Sequence, residues 1–197
     1  MERHELTELH FITPISNVPG ILRHGILSHK RSKELRHESI AMDEIQERRK
    51  KVTIPGGRPL HDYANLYLCA RNPMLYKRRE QRDLLCVLRI DTAILDINGA
   101  IVSDGNASSD YTRFAKAPEG LRIVEKDNVL ADIWLDPDPI ECFRKKRQKC
   151  AEVLIPEIVP VKYIEGAYVA NDIAAKALIE IGFKLPVEIN KHLFFLN

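Results

Sequence analysis

"DLLCVLRIDTAIL" (Asp83–Leu95) is the stretch on which the fold turns. Leu84 to Leu88 are apolar without a break, Arg89 interrupts, and Asp91-Thr92 then punctuates, which is the signature of a strand. Downstream, "AIVSDGNAS" (100–108) predicts a strand ending in an Asp-Gly-Asn turn, and "GLRIVE" (120–125) a short strand. "AEVLIP" (151–156) and "YIEGAYVA" (163–170) read as strands separated by "EIVPVK". "NDIAAKALIEIG" (171–182) predicts a helix capped by Asn171 or Asp172, apolar at Ile173, Ala177 and Ile181, and ended by Gly182. "LPVEI" (185–189) closes as a strand.

Upstream, Leu9–Thr13 predicts a strand, Pro14–Ser16 a turn, and Val18–His24 a brief helix stopped by Gly25. Residues 36–50 place Ile40, Met42 and Ile45 among charges, a weak helix or an ordered loop. "IPGGRPLHDYA" (54–64) is a loop, "NLYLCA" (65–70) a strand, and "NPMLY" (72–76) a turn leading into a helix or another loop. No repeat, low-complexity linker or seam divides the chain. One α+β domain over residues 1–197, with most of its sheet in the second half, is the expectation.

The 197 residues suffice for one well-buried core, and 45% hydrophobic with 29% charged residues is ordinary for a soluble protein. No apolar run approaches the roughly 20 residues that cross a bilayer. "MERHELTELHF" has no apolar segment of the secretory type, so a cytoplasmic protein is expected. Cys69, Cys86, Cys142 and Cys150 are scattered and form no CxxC pair, which indicates reduced thiols rather than a zinc or redox site. Net charge is only +2, but basic residues gather in "ERRKK" (47–51), "YKRREQR" (76–82) and "FRKKRQK" (143–149). Such runs are usually solvated faces; three of them also fit a groove that tracks phosphates.

Within "RKKRQKCAEVLIPEIVP" (144–160), Glu152 is a carboxylate inside an aliphatic segment. In an extended chain Cys150, Glu152 and Leu154 share one face, and Ala151, Val153 and Ile155 the other. Glu152 is therefore either a strand-start charge in solvent or an acid lining a cleft and able to act as a base. His10 and Thr13 lie at a strand end and Asn17 precedes a helix, where they serve as turn and cap chemistry or contact a nucleotide. Arg48 and Arg49 belong to a surface helix face or grip a pyrophosphate with their planar forks. Asp104, Gly105 and Asn106 form a plain turn or a site at a strand end. Tyr63, Tyr67 and Tyr76, with Met74, are core residues or stacking surfaces for nicotinamide or bases.

In order and spacing, "ITPISNVPGILRHGIL" (12–27), "ERRKKVTIPGGRPLHDYANLYLCARNPMLY" (47–76), "SDGNAS" with "TRF" (103–108, 112–114) and "KCAEVLIPEIVP" (149–160) resemble the DarT family of DNA ADP-ribosyltransferase toxins. The resemblance covers roughly residues 9–165. It implies an ADP-ribosyltransferase-like split, mostly antiparallel β-sheet core with flanking helices, and NAD as co-substrate in the cleft. It also implies transfer of ADP-ribose to a base of single-stranded DNA, thymine or guanine, and an antitoxin that removes ADP-ribose. By that likeness Glu152 is the catalytic glutamate and Arg49 the catalytic arginine, with Arg48 one residue of register away. Thr13, Asn17, Tyr67 and Asn106 match NAD-contacting positions. The family commonly reads His-Ile-Thr where this chain has Phe11-Ile12-Thr13, so His10 is expected to reach NAD through a local shift. No metal is required.

The same likeness makes "DPDPIECFRKKRQK" (136–149) a substrate-reading loop in which Arg144, Lys145, Lys146, Arg147 and Lys149 hold the DNA backbone. Two other classes compete. A metal-dependent nuclease would need Asp136, Asp138, Glu141, Glu152 and Glu157 to converge on Mg²⁺. A non-catalytic DNA-binding module would neither bind nor consume NAD.

Overall fold

The computed structural model describes residues 1–33, 35, 37–38 and 43–196. Ile40 and Met42 of the weak-helix reading lie outside the described residues. In chain order the elements are β1 (Leu9–Pro14), α1 (Val18–His24), β2 (Ile26–Leu27), α2 (His29–Ser32), α3 (Asp43–Lys51) and β3 (Tyr63–Tyr67). There follow α4 (Pro73–Lys77), β4 (Leu85–Ile90), β5 (Ile101–Ser103), β6 (Phe114–Lys116), α5 (Lys126–Leu130) and α6 (Pro139–Gln148). β7 (Glu152–Pro156), β8 (Ile158–Val159), β9 (Ile164–Val169), α7 (Asp172–Glu180) and β10 (Val187–Ile189) complete the chain.

The main sheet has the order β10-β9-β4-β1-β3-β7-β5-β6. All its pairs are antiparallel except β10 with β9. β4 sits between β9 and β1, which explains its apolar run: Cys86, Leu88 and Ile90 pack into one core layer, Leu85 and Val87 into another. β1 runs in register with β4 along its whole length but meets β3 at one pair, His10 opposite Tyr67. The two half-sheets join there and then part, the split the resemblance implies. β2 and β8 form a separate ribbon beside that split.

Gly25 ends α1 at φ +79, where a Cβ would come 2.5 Å from the Val159 carbonyl oxygen across that ribbon. α7 is capped by Asn171, whose side chain accepts from the Ala174 N–H, and it buries Ala174 and Leu178 against the sheet.

Three expectations are corrected. Residues 120–123 of the "GLRIVE" segment belong to a 3₁₀ turn, Glu119–Ile123, rather than a strand. "DPDPIECFRKKRQK" is not a loop: Asp138 accepts from the Ile140 and Glu141 N–H groups, Pro139 opens the first turn, and α6 follows. The strands β2, β6 and β8, two or three residues each, were not expected. The four cysteines are free, Cys86 and Cys150 buried and the other two half-buried.

Candidate active site

A cavity of about 380 Å³ opens where β1 leaves β3. Tyr67 of β3 and Glu152 of β7 line it from the sheet, and Thr13, Asn17, Arg49 and Asn106 line it with them. Glu152 is buried at 1% exposure, its strand register placing it directly across from Tyr67 and Ser103. The alternation read from the sequence holds: Leu154 shares its face, while Ala151, Val153 and Ile155 turn into the main core.

A buried carboxylate survives only if paired and hydrogen-bonded. Arg49 Nη1 donates to both oxygens, 3.1 Å to Oε1 and 3.0 Å to Oε2, and the Ala107 N–H donates to Oε1 at 2.9 Å. Oε2 thus carries one partner against two for Oε1, among the described residues. Burial, then the Glu152 charge, push the Tyr67 phenol upward, so that it stays a neutral hydroxyl on the cavity floor. The same two causes raise the Cys150 thiol to about 12.

Arg49 and Arg48 separate cleanly. Arg49 is 8% exposed and faces the carboxylate, whereas Arg48 pairs with Glu44 one turn back on the exposed side of α3. Asn17 donates to the Glu38 carbonyl at 2.8 Å and accepts from its N–H at 2.9 Å, which fixes the cavity rim. His10 does not line the cavity. It faces Glu8, Nε2 to Oε1 3.2 Å, and its Nδ1 is buried without a partner among the described residues. Phe11, not His10, takes the cavity side.

A scan against protein families matches residues 10–195 to "ssDNA thymidine ADP-ribosyltransferase, DarT". The chain belongs to the DarT family. It is 31% identical to the DNA ADP-ribosyl transferase of Thermus sp. (strain 2.9), covering 92% of this chain and 90% of that protein. It is 32% identical to a DNA ADP-ribosyl transferase–DNA ADP-ribosyl glycohydrolase fusion protein of Thermosipho africanus (strain H17ap60334), matching 96% of this chain but only half (50%) of the fusion. The structure of Thermus sp. 2.9 DarT with ADP-ribosylated ssDNA superimposes with a TM-score of 0.84 at 28% identity, covering 96% of each chain. Its NAD⁺ complex gives 0.79 at 26% identity, covering 96% of this chain and 98% of that one. The mostly antiparallel split sheet with flanking helices is the DarT fold.

In this DarT-family chain a second cavity, about 860 Å³, adjoins the first and shares Asn106 and Cys150 with it. Arg48, Lys51, Arg79 and Lys146 line it together with Tyr76, Tyr111, Trp134 and Phe143. Tyr111 and Phe143 meet edge to face at 6.2 Å and stay 74% and 55% exposed. The Arg79 guanidinium lies 4.4 Å over the Tyr76 ring. Tyr63 is a core residue packed with Ile54 and Leu60.

The five basic residues of the 144–149 run part company. Lys146 is exposed on the second cavity. Arg144 pairs with Glu141, and Lys145 with Asp136 at 2.7 Å. Lys149 corrects the expectation of a phosphate contact: it is 1% exposed and donates to the Val129 carbonyl at 2.6 Å. Arg147 is folded inward onto Asp104 at 2.8 Å. Burial opposes ionisation of Asp104, but hydrogen bonds from Arg147 and Arg113 outweigh it and hold the carboxyl below its ordinary range.

The acids of the nuclease reading disperse: Asp136 goes to Lys145, Asp138 caps α6, Glu141 goes to Arg144, and Glu157 bridges Arg31 and Arg58 on the surface. Only Glu152 of that set lines the cavity. Among the described residues no group of three His, Cys, Asp or Glu could hold a metal, and no helix is long and apolar enough to cross a membrane.

Sequence reasoning missed the His29–His61 ring pair, centroids 4.2 Å apart. His29 lines the cavity, and burial followed by the charges of His29 and Arg49 push His61 down to about 4. It missed Trp134 as well. No local pattern marks these residues, because their partners come from other elements.

Proposed function

We propose that this chain transfers ADP-ribose from NAD to a thymine base of single-stranded DNA, with Glu152 and Arg49 as its catalytic residues. The observation that carries this is the Arg49–Glu152 pair, buried on the floor of a cavity of nucleotide-binding size. Thr13, Asn17, Tyr67 and Asn106 are the further side chains that would meet NAD there. The Thermus sp. relative, solved with NAD⁺ and with ADP-ribosylated ssDNA, supports both substrates. Thymine rather than guanine follows the description of the family.

The nicotinamide–ribose bond of NAD breaks through an oxocarbenium-like state, nicotinamide leaves as the neutral base, and the thymine ring nitrogen bonds to the ribose anomeric carbon as it loses its proton. Glu152 hydrogen-bonds the ribose 2′-hydroxyl and stabilises the developing positive charge; its less committed oxygen, Oε2, takes the proton from the thymine ring N–H. Arg49 aims that carboxylate and meets the NAD phosphates with the N–H groups its Nη1 does not use. Tyr67, kept neutral, packs against the nicotinamide end.

The second cavity receives the DNA strand. Aromatic faces for bases interleaved with cations for phosphates is the arrangement single strands require, and the target base must be unpaired to reach the ribose. The reversing partner is an enzyme of the DNA ADP-ribosyl glycohydrolase class, which the Thermosipho relative carries on its own chain; the pair acts as toxin and antitoxin. We place the activity in the cytoplasm, where both substrates occur.

Mass spectrometry of single-stranded oligonucleotides after incubation with NAD tests the proposal. A product heavier by one ADP-ribose is expected on thymine-containing strands and not on strands without thymine. Activity with Mg²⁺ alone, or no NAD consumption with any strand, defeats it.

A further inference from the structure

Arg147 was expected to contact DNA, yet its side chain is only 10% exposed. Nη1 donates to Asp104 Oδ1 at 2.8 Å, and the Arg147 backbone carbonyl accepts from the Asn106 N–H at 2.9 Å. Gly105 lies between these two contacts. A Cβ there would stand 2.5 Å from Arg147 Nη1 and 2.9 Å from the Arg147 carbonyl oxygen, so the turn packs against Arg147 with no room for a side chain.

The far side of the turn meets the carboxylate. Ser103 Oγ donates to the Gly105 carbonyl at 2.8 Å and accepts from the Glu152 N–H at 3.1 Å. Ala107 N–H donates to Glu152 Oε1 at 2.9 Å. Residues 104–107 are thus clamped between the last turn of α6 and the acid on β7.

We infer that Arg147, acting with Asp104 and Gly105, is a positioning residue for the transfer reaction: it holds the 104–107 turn so that the Ala107 amide fixes Glu152 Oε1. This rests on Glu152 being the catalytic carboxylate. A second donor beside Arg49 stops the carboxylate rotating, and the amide bond to Oε1 leaves Oε2 to face the reacting groups. Asp104 is the counter-charge that holds the Arg147 guanidinium against the turn at the margin of the second cavity, where it is already neutralised as a partner for phosphate. Arg113, its side chain 64% exposed, holds the Asp104 end of the turn from outside, donating to the carboxylate from Nε at 2.8 Å and from its backbone N–H at 2.9 Å.

The test compares Arg147→Met, Arg147→Lys, Gly105→Ala and Glu152→Gln in the full chain, with NAD and a thymine-containing oligonucleotide. Arg147→Met should lower kcat about tenfold to a hundredfold, the cost of a misplaced catalytic group, with KM for NAD changed less than about twofold. The salt dependence of oligonucleotide binding should not change. The Ala107 amide proton, downfield in the parent through its bond to a carboxylate, should move upfield in Arg147→Met, and Arg147→Lys should recover part of kcat. Gly105→Ala carries the same expectation by an independent route should Arg147→Met fail to fold. Unchanged kcat in both variants, or a shallower salt slope with the Ala107 resonance unmoved, overturns the inference. If Glu152→Gln is inactive while Arg147→Met is normal, only the positioning role falls; if Glu152→Gln is active, the catalytic assignment falls and takes this role with it.

Discussion

Arg49 and Glu152 are 103 residues apart in sequence, and one guanidinium nitrogen of the first lies 3.0 Å and 3.1 Å from the two carboxylate oxygens of the second. Both are almost wholly buried, so neither charge can be screened by water. Removing one partner of such a pair leaves the other charged and buried. Glu152→Gln keeps an oxygen for Arg49 and should stay folded, with kcat for ADP-ribose transfer down by about 10²–10³. Glu152→Ala strands the Arg49 charge and should also cost about 3–5 kcal/mol by denaturant unfolding. Full labelling of oligonucleotides by Glu152→Gln would remove the carboxylate from the chemistry.

The neighbouring arginine gives the contrast. Arg48 is paired with Glu44 on the exposed face of α3, an arrangement worth little. Arg48→Ala should shift stability by less than about 0.5 kcal/mol and weaken oligonucleotide binding while leaving kcat and KM for NAD intact, whereas Arg49→Met should lose transfer. Equal losses of turnover from the two would mean that both arginines act in the chemistry.

DNA contacts divide the same way. Lys146→Ala should flatten the salt dependence of single-strand binding by about 0.7 in log–log slope, one phosphate contact, while the buried Lys149→Met should leave the slope alone. Phe143→Ala or Tyr111→Ala should weaken binding by about 1–3 kcal/mol per stacked base without changing the slope. A slope that responds to Lys149 and not to Lys146 would reverse the assignment.

Acid should destabilise the fold through the histidine pair. His61 is held down to about 4 in the folded chain against an ordinary 6.5, with His29, Lys33 and Arg49 as the charges facing it; His29 is lowered in the same direction, first by burial. Between those pH values the unfolded chain binds a proton that the folded chain does not. Stability is therefore full above pH 6.5 and falls as pH drops toward 4. His61→Phe should flatten urea midpoints over that window. An unaltered pH profile in the variant would show that His61 is charged in the native state.

Asn72 caps α4 with its side-chain oxygen on the Met74 and Leu75 N–H groups, and its amide donates to the Cys69 carbonyl at 2.9 Å. Asn72→Ala should cost about 1–2 kcal/mol, read by thermal unfolding. Because α4 carries Met74 on the cavity wall, KM for NAD should rise as well. A loss of stability without any change in KM would make the cap purely structural.

Much of this was readable along the chain because its causes are local. The apolar run of β4, the helix from Val18 to His24 with Gly25 after it, and the alternation that puts Glu152 and Leu154 on one face all follow from backbone periodicity and steric freedom within a few residues. The resemblance to DarT, carried by the order of short motifs, supplied Glu152 and the cavity residues Thr13, Asn17, Tyr67 and Asn106 before any coordinates. What the sequence left open were questions of direction and partner. Neighbouring helix positions point about 100° apart, so only the packing of α3 chose Arg49 over Arg48. Neighbouring strand positions point oppositely, so only the pairing of β1 turned Phe11 to the cavity and His10 toward Glu8. α6 escaped notice because its apolar residues Ile140 and Phe143 remain 76% and 55% exposed, leaving no buried stripe to betray a helix. A cation's role depends on the carboxylate or carbonyl that long-range folding brings to it, which is why one basic run yields an exposed Lys146, an Arg147 locked on Asp104 and a Lys149 sealed in the core.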